Sequence, residues 1–228
     1  MATTKNITMK QFNGTDYDTL YPKTVYNQVS GVAPAGYGLG ETLPYIAKTS
    51  ESGEYDADTV NKTGFFAAKT NTPTGNWCYG LHVNRIDNKA FQLVTGEFSE
   101  KEFALRKKID GVWQPWEWVN PPMQLGVEYR TTERYLGKPV YVKALGLGTM
   151  PGASTTKSVS FGTGTEIAID VTGRMEYDSD TYTIPFDRGN GTSAAIYTHN
   201  SQVFLISGAN SITSYNAYAV VKYIKTTD

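Results

Sequence analysis

One cysteine, Cys78, stands among the 228 residues. A lone thiol makes no intrachain disulfide and no thiolate zinc cluster, and as a small apolar side chain it is expected in a core. Histidine is almost as scarce: His82 and His199 are the only two. They lie far apart in the chain and neither accompanies a Gly-x-Ser-x-Gly elbow, so no nucleophile with a matched base is visible. Lysine plus arginine (21) nearly cancel aspartate plus glutamate (22), and no basic stripe exists. Nucleic acid is therefore not an expected partner, nor is a polybasic attachment to lipid. Apolar runs are short. Tyr218–Val221 is among the longest, far below the roughly 20 residues that cross a bilayer, so no membrane insertion is expected. The opening Met1–Ile7 has no apolar signal-peptide centre. Synthesis in the cytosol, with release by another route such as lysis, is the expectation.

Thr, Ser, Asn and Gly fill the chain instead, with 16 tyrosines. β-branched, aromatic and turn-forming residues favour short strands joined by tight turns. The predicted fold class is all-β. A short extended linker segment spans 1–50, a small β domain 51–122, and an antiparallel β-sandwich 123–228. In the first zone, Ile7–Phe12 alternates as a half-buried strand, Asn13-Gly14 marks a tight turn, and Asp16–Pro22 reads as a second extended piece. Gly31–Gly40 is rich in Gly and Pro and reads as a linker, or as backbone packed against other copies of the chain. In the second zone, strands are predicted over 64–69, 77–86, 91–95 and 103–107, with a turn or short helix at 56–58 and a hairpin turn at Asp110-Gly111. In the third, eight strands are predicted over 127–135, 139–146, 157–162, 166–177, 181–186, 193–199, 202–207 and 215–225.

Few residue groups offer chemistry. Glu166 with Asp170, and Asp178 with Asp180, are the carboxylate pairs that could serve glycoside hydrolysis. Asp is common in turns for backbone reasons, and solvated acids are the simpler reading. Neither Asp178-x-Asp180 nor Asp56-x-Asp58 continues into a calcium loop, so no metal is expected. Gly36–Gly40 and Gly146–Gly148 lack the strand–loop–helix setting of a phosphate cradle, and no cofactor is expected. Trp113, Trp116 and Trp118 have two readings. Large aromatics build small cores, and their ring faces also stack on sugars.

Order adds what single motifs do not. Thr63-Gly-Phe-Phe66, Pro73, Leu81-His-Val83, Gln92-Leu93, Phe103-Ala-Leu-Arg106 and Gly111-Val-Trp-Gln-Pro-Trp-Glu-Trp118 follow one another in the sequence. Residues 63–119 so resemble the pyocin-knob module of phage tail fibres and phage-tail-like bacteriocins. Gly137–Lys143, Thr156–Val159 and Ala217–Asp228 resemble a C-terminal β-domain of tail proteins from phages of Gram-positive bacteria, and Met9–Lys23 is similar to such proteins too. The resemblance implies a receptor-binding protein at a fibre or baseplate tip of the virion tail, a homotrimer docked on tail or baseplate proteins. It implies a bacterial surface polysaccharide or teichoic acid as ligand, and attachment without catalysis. It carries over no binding residues. Loops and outward aromatics of the third zone are the candidates: Tyr177, Asp178, Asp180, Tyr182, Arg188, Asn190, His199, Asn200 and Tyr215. The three tryptophans are the alternative sugar-stacking group. A glycan depolymerase and a purely structural spacer are the competing functions.

Overall fold

The computed structural model describes residues 9–12, 15, 17–20, 56–86, 88–96 and 103–228. The Asn13-Gly14 turn and the Gly31–Gly40 segment, with its Gly36–Gly40 run, lie outside them. The described residues are all-β, with a single 3-10 turn at Ala57–Thr59. β1 (Met9–Phe12) and β2 (Tyr17–Leu20) pair antiparallel.

Five strands make the first large sheet, in the order β3-β4-β5-β6-β8: β3 (Gly64–Ala68), β4 (Cys78–Ile86), β5 (Lys89–Gly96), β6 (Phe103–Ile109) and β8 (Glu117–Asn120), with β7 (Val112–Trp113) hairpinned onto β6. Asp110 and Gly111 both take positive φ, 50° and 85°, in the two-residue turn between β6 and β7. That is the backbone a tight hairpin demands, and Asp-Gly supplies it at low strain. The strands alternate as expected, yet the face that turns inward on β4 is the small and polar one. Cys78 and His82 are each 1% exposed, while Tyr79 and Val83 are 51% and 42% exposed. The reason lies in what covers each face. Ala57 and Val60, on and beside the 3-10 turn, pack with Phe66, Ala68, Cys78, Val94, Ala104 and Trp118. Gly80 lies within this packing, between Phe66 on β3 and Val94 on β5. A Cβ there would come within 2.7 Å of the Phe66 ring, the Val94 side chain and the Leu93 carbonyl.

The second body is a sandwich. One sheet runs β13-β12-β17-β10-β9, from β9 (Glu128–Tyr135), β10 (Lys138–Thr149), β12 (Glu166–Tyr177), β13 (Asp180–Ile184) and β17 (Asn216–Lys225). The other runs β11-β16-β15-β14, from β11 (Thr156–Ser160), β14 (Phe186–Asp187), β15 (Ser193–His199) and β16 (Gln202–Ser207). β14 is two residues long and was not separable in sequence from β13; the cis Ile184–Pro185 bond stands between them. Between the sheets lie Leu145, Leu147, Met150, Phe161, Met175, Val203, Leu205, Val221 and Tyr223, all nearly inaccessible. Tyr223 is fully buried, stacks on Tyr141, and donates its hydroxyl to Glu128. Burial and that carboxylate together push its phenol well above the ordinary range.

The two bodies join where β8 meets β9 in a parallel contact at Trp118 and Thr131. Trp118 packs edge-on to Tyr129 at 5.6 Å, and Glu117 accepts from both Arg130 (3.1 Å) and Arg134 (2.6 Å).

Strand direction defines the two ends of the sandwich. The turn after Tyr177, the start of β17 at Asn216, loop 188–192 and loop 208–214 gather at one end. The Asn200-Ser201 turn, loop 161–165 and the end of β17 gather at the other.

Candidate functional site

At the first of these ends an aromatic cluster forms from side chains far apart in sequence. Tyr177 ends β12, Tyr182 lies on β13, Phe186 on β14, and Tyr215 precedes β17. Tyr215 contacts Tyr177 at 5.2 Å and Tyr182 at 5.9 Å between ring centroids, and Tyr182 meets Phe186 edge-on at 5.0 Å. Charge frames the rings. The Arg188 guanidinium donates to the Tyr182 hydroxyl at 2.9 Å, and that hydroxyl donates to Asp180 Oδ2 at 3.3 Å. Arg188 also lies 5.4 Å over the Tyr182 ring and 5.5 Å over Phe186. Cation–ring attraction of this kind is worth about 0.5–1 kcal/mol at an exposed site. The rings are half open: Tyr177 is 51% exposed, and Tyr182 and Tyr215 are half-buried.

Loop 188–192 is held in shape beside them. Asp187 accepts from the Gly189 amide and Asn190 from the Thr192 amide, and the Asn210 side chain donates to the Asn190 carbonyl. Asp178 occupies the β12–β13 turn at φ 54°. Seven of the nine sequence candidates thus share one end: Tyr177, Asp178, Asp180, Tyr182, Arg188, Asn190 and Tyr215. His199 and Asn200 do not join them. They sit at the opposite end, where His199 lies 6.5 Å from Phe204 and Asn200 takes φ 47° in a tight turn. Phe186 was missed in sequence, since nothing in Ile184-Pro-Phe186 shows that the chain changes sheets there.

The carboxylate pairs do not converge. β12 carries an irregularity between Ala168 and Asp170, and Val171 again faces the core. An extra residue in a strand reverses the faces beyond it, so Asp170 points away from Glu166. Burial would raise the Glu166 carboxyl, but amides from Thr163 and Gly164 and other hydrogen bonds outweigh it and hold the group low. Asp178 lies in the turn and Asp180 on the strand, so they do not share a strand face. Among the described residues no group of three His, Cys, Asp or Glu side chains is placed to hold a metal ion. No described helix is long and apolar enough to cross a membrane.

The tryptophans serve the first sheet. Trp118 is 8% exposed. The Arg106 guanidinium lies 4.2 Å from the Trp113 ring centre and 4.3 Å from that of Trp116. Arg106 also donates to Gln92 Oε1 at 2.9 Å and pairs with Asp58 at 2.6 Å. One face of each ring is therefore taken by the cation. The indole N–H groups donate to the Asp58 and Asn71 carbonyls.

No protein-family model matches the chain, and no curated protein does. Among solved structures it is similar to an N-truncated R2-type pyocin tail fibre, with 9% identity over 78% of this chain and 98% of that one, at a TM-score of 0.26. A C-terminal piece of the R1 pyocin fibre of P. aeruginosa matches at 11% identity over 78% of this chain and 68% of that one, also at 0.26. The collagen-binding domain of the Erysipelothrix rhusiopathiae surface protein RspB matches at 8% identity, covering 72% and 69%, at 0.29.

Proposed function

We propose that the chain is a receptor-binding tail-fibre protein, of a phage or a phage-tail-like particle, that holds a bacterial surface polysaccharide or teichoic acid without cutting it. The observation that carries this reading is the Tyr177–Tyr182–Tyr215 cluster framed by Arg188 and Asp180. Ring faces take up the C–H surfaces of a sugar, while the phenols, the guanidinium and the carboxylate bond its hydroxyls in fixed directions. Arg188 also suits the phosphate of a teichoic acid. The cluster sits at the end of a rigid sandwich, where loops vary at little cost to the core. The order of motifs over 63–119 and 137–228 agrees with this role.

Self-association completes the reading. The outer face of the first sheet carries Phe65, Leu81, Leu93 and Leu105 in one cross-strand row, and Ala67, Tyr79, Thr95 and Phe103 in the next. Phe65 and Phe103 are 54% and 46% exposed. An apolar face of this extent favours contact with other copies, as the expected homotrimer needs. Three sites per fibre and several fibres per particle then multiply weak grips through effective concentration.

Incubation of the purified protein with bacterial cell-wall glycan tests the proposal. Sedimentation of the protein with the glycan, and no oligosaccharide released, is the expected result. Released oligosaccharides would favour the depolymerase, and absence of co-sedimentation the structural spacer.

A further inference from the structure

The outer face of the first sheet changes character toward the sandwich. Leu105 lies opposite Leu93 on one side and Glu117 on the other, and Phe91 lies opposite Lys107, so the apolar rows end in charge. Trp118 and Thr131, where β8 meets β9, are both buried on the inner side. Side chains alternate along a strand, so their neighbours Glu117 and Arg130 turn to the outer side with Leu105. Arg134 reaches the same carboxylate. With Phe91, Leu105 and Lys107 they line a groove of about 500 Å³.

What this groove shows to solvent is positive. Glu117 Oε1 accepts from Arg130 Nε and Nη2, each at 3.1 Å, and from Arg134 Nη2 at 2.6 Å. The carboxylate is the covered member. Its side chain is 13% exposed, against 22% for Arg130 and 41% for Arg134. Lys107 is exposed and forms no ion pair among the described residues. Arg106 also borders the groove, but its guanidinium turns to the inner face, against Trp113, Trp116 and Asp58. Lys107 and two arginines thus stand around a single acid, in a chain whose net charge is -1.

Cations gathered in a groove with apolar walls raise the potential there, and an anion relieves it. Both guanidinia are already held in place: Arg134 Nη1 donates to the Thr131 and Glu133 carbonyls at 3.3 and 3.0 Å. Each still has more N–H groups than these bonds use, and little ordering cost is left for binding. The floor decides what carries the anion. Phe91 and Leu105 are half-buried and lie beside the cations. A ring face and an aliphatic side chain take up the C–H surface of a sugar or polyol, which an inorganic ion lacks.

We propose that this groove is a binding site for a phosphate-bearing sugar or polyol unit, its phosphate between Lys107 and the two guanidinia and its carbon skeleton on Phe91 and Leu105. Arginine forks meet phosphate oxygens in pairs. The volume lies within the range of small-ligand pockets, about 300–1,000 Å³. A repeat unit of a bacterial surface polymer and a free sugar phosphate share this chemistry. The site stands apart from the aromatic cluster at the sandwich end and does not depend on its role.

Nitrogen-15 NMR spectra of the labelled full chain, recorded with glucose 1-phosphate, glucose, inorganic phosphate or an oligoglutamate peptide, test it. Glucose 1-phosphate is expected to shift the Lys107, Arg130 and Arg134 signals in a saturable way, and more weakly as salt is raised. Glucose is expected to shift none of them, and inorganic phosphate to need a higher concentration. Lys107→Glu, at an exposed position, is expected to weaken binding at least about tenfold, and Tyr182→Ala to leave it unchanged. Should Lys107→Glu not fold by circular dichroism, Lys107→Gln takes its place. Displacement of glucose 1-phosphate by teichoic acid supports the site with the polymer as its source; saturable binding without displacement supports it with the free sugar phosphate. No shift with glucose 1-phosphate overturns the proposal, and so do shifts that persist unweakened in the Lys107 variant. Equal affinity for inorganic phosphate, an adventitious ion only, overturns it as well. Tighter binding of the peptide overturns it in favour of an acidic protein partner.

Discussion

Arg106 shows how a charge is accommodated in a small β core. Its guanidinium lies between two indole faces, pairs with Asp58, and orders Gln92, which in turn orders His82. Removing one partner from a buried pair costs about 3–5 kcal/mol because the other is stranded; Asp58 retains 39% side-chain exposure, which lessens that penalty. Arg106→Ala is expected to lose about 2–3 kcal/mol in urea unfolding. Arg106→Lys is expected to recover little of it, since an ammonium does not stack flat between rings.

His82 makes stability depend on acid. Its folded value, about 4, lies below the unfolded 6.5. The unfolded chain thus binds more protons between those two values, and stability falls as pH drops through that window, by at most about 1.4 kcal/mol per unit. It is flat on this account above pH 6.5. Urea midpoints measured at pH 7 and pH 5 check the sign, and a midpoint unchanged or higher at pH 5 would contradict it once His82→Gln is used as the reference.

At the scale of elements, Gly80 and the β12 irregularity decide what packs where. Gly80→Ala pushes a methyl into Phe66 and Val94, and overpacking of that kind costs about 1–3 kcal/mol; a lowered thermal midpoint with unchanged far-ultraviolet dichroism is the expected result. Strand existence was readable from period-two patterns. The intervals expected over 166–177, 193–199 and 202–207 coincide with β12, β15 and β16. Which face turns inward was not readable. Tyr79, Leu81 and Val83 alternate with Cys78, Gly80 and His82, and it is the 3-10 turn, packed on Cys78 and bonded through Gln92 to His82, that makes the second set the inner one. The pairing of Glu166 with Asp170 failed for a related reason, because a single extra residue reverses a strand and leaves no mark in composition. Part of the candidate site was legible, since Tyr, Asp, Asn and Arg in turn-like runs mark loops. Its grouping was not. Tyr182 and Tyr215 meet only because β12 pairs with both β13 and β17, a long-range fact. His199 and Asn200 share the same loop character and were separated from the rest by strand direction alone.

For the whole molecule, the sandwich carries an aromatic and charged cluster at one end, and the first sheet leaves Phe65, Tyr79 and Phe103 exposed on its outer face. Light scattering of the full chain is expected to give a trimer at micromolar concentration. Phe65→Glu together with Phe103→Glu is expected to shift it toward monomer, with glycan binding retained per site but weakened on multivalent surfaces. The tip itself is tested most directly on an array of bacterial surface polysaccharides and teichoic acids, probed with the native chain and with Tyr182→Ala, Tyr215→Ala and His199→Ala. The account predicts binding by the native chain to at least one of them. Either tyrosine substitution should lower it about tenfold, near 1.4 kcal/mol, and His199→Ala should leave it unchanged. Equal binding by the native chain and both tyrosine variants would contradict it.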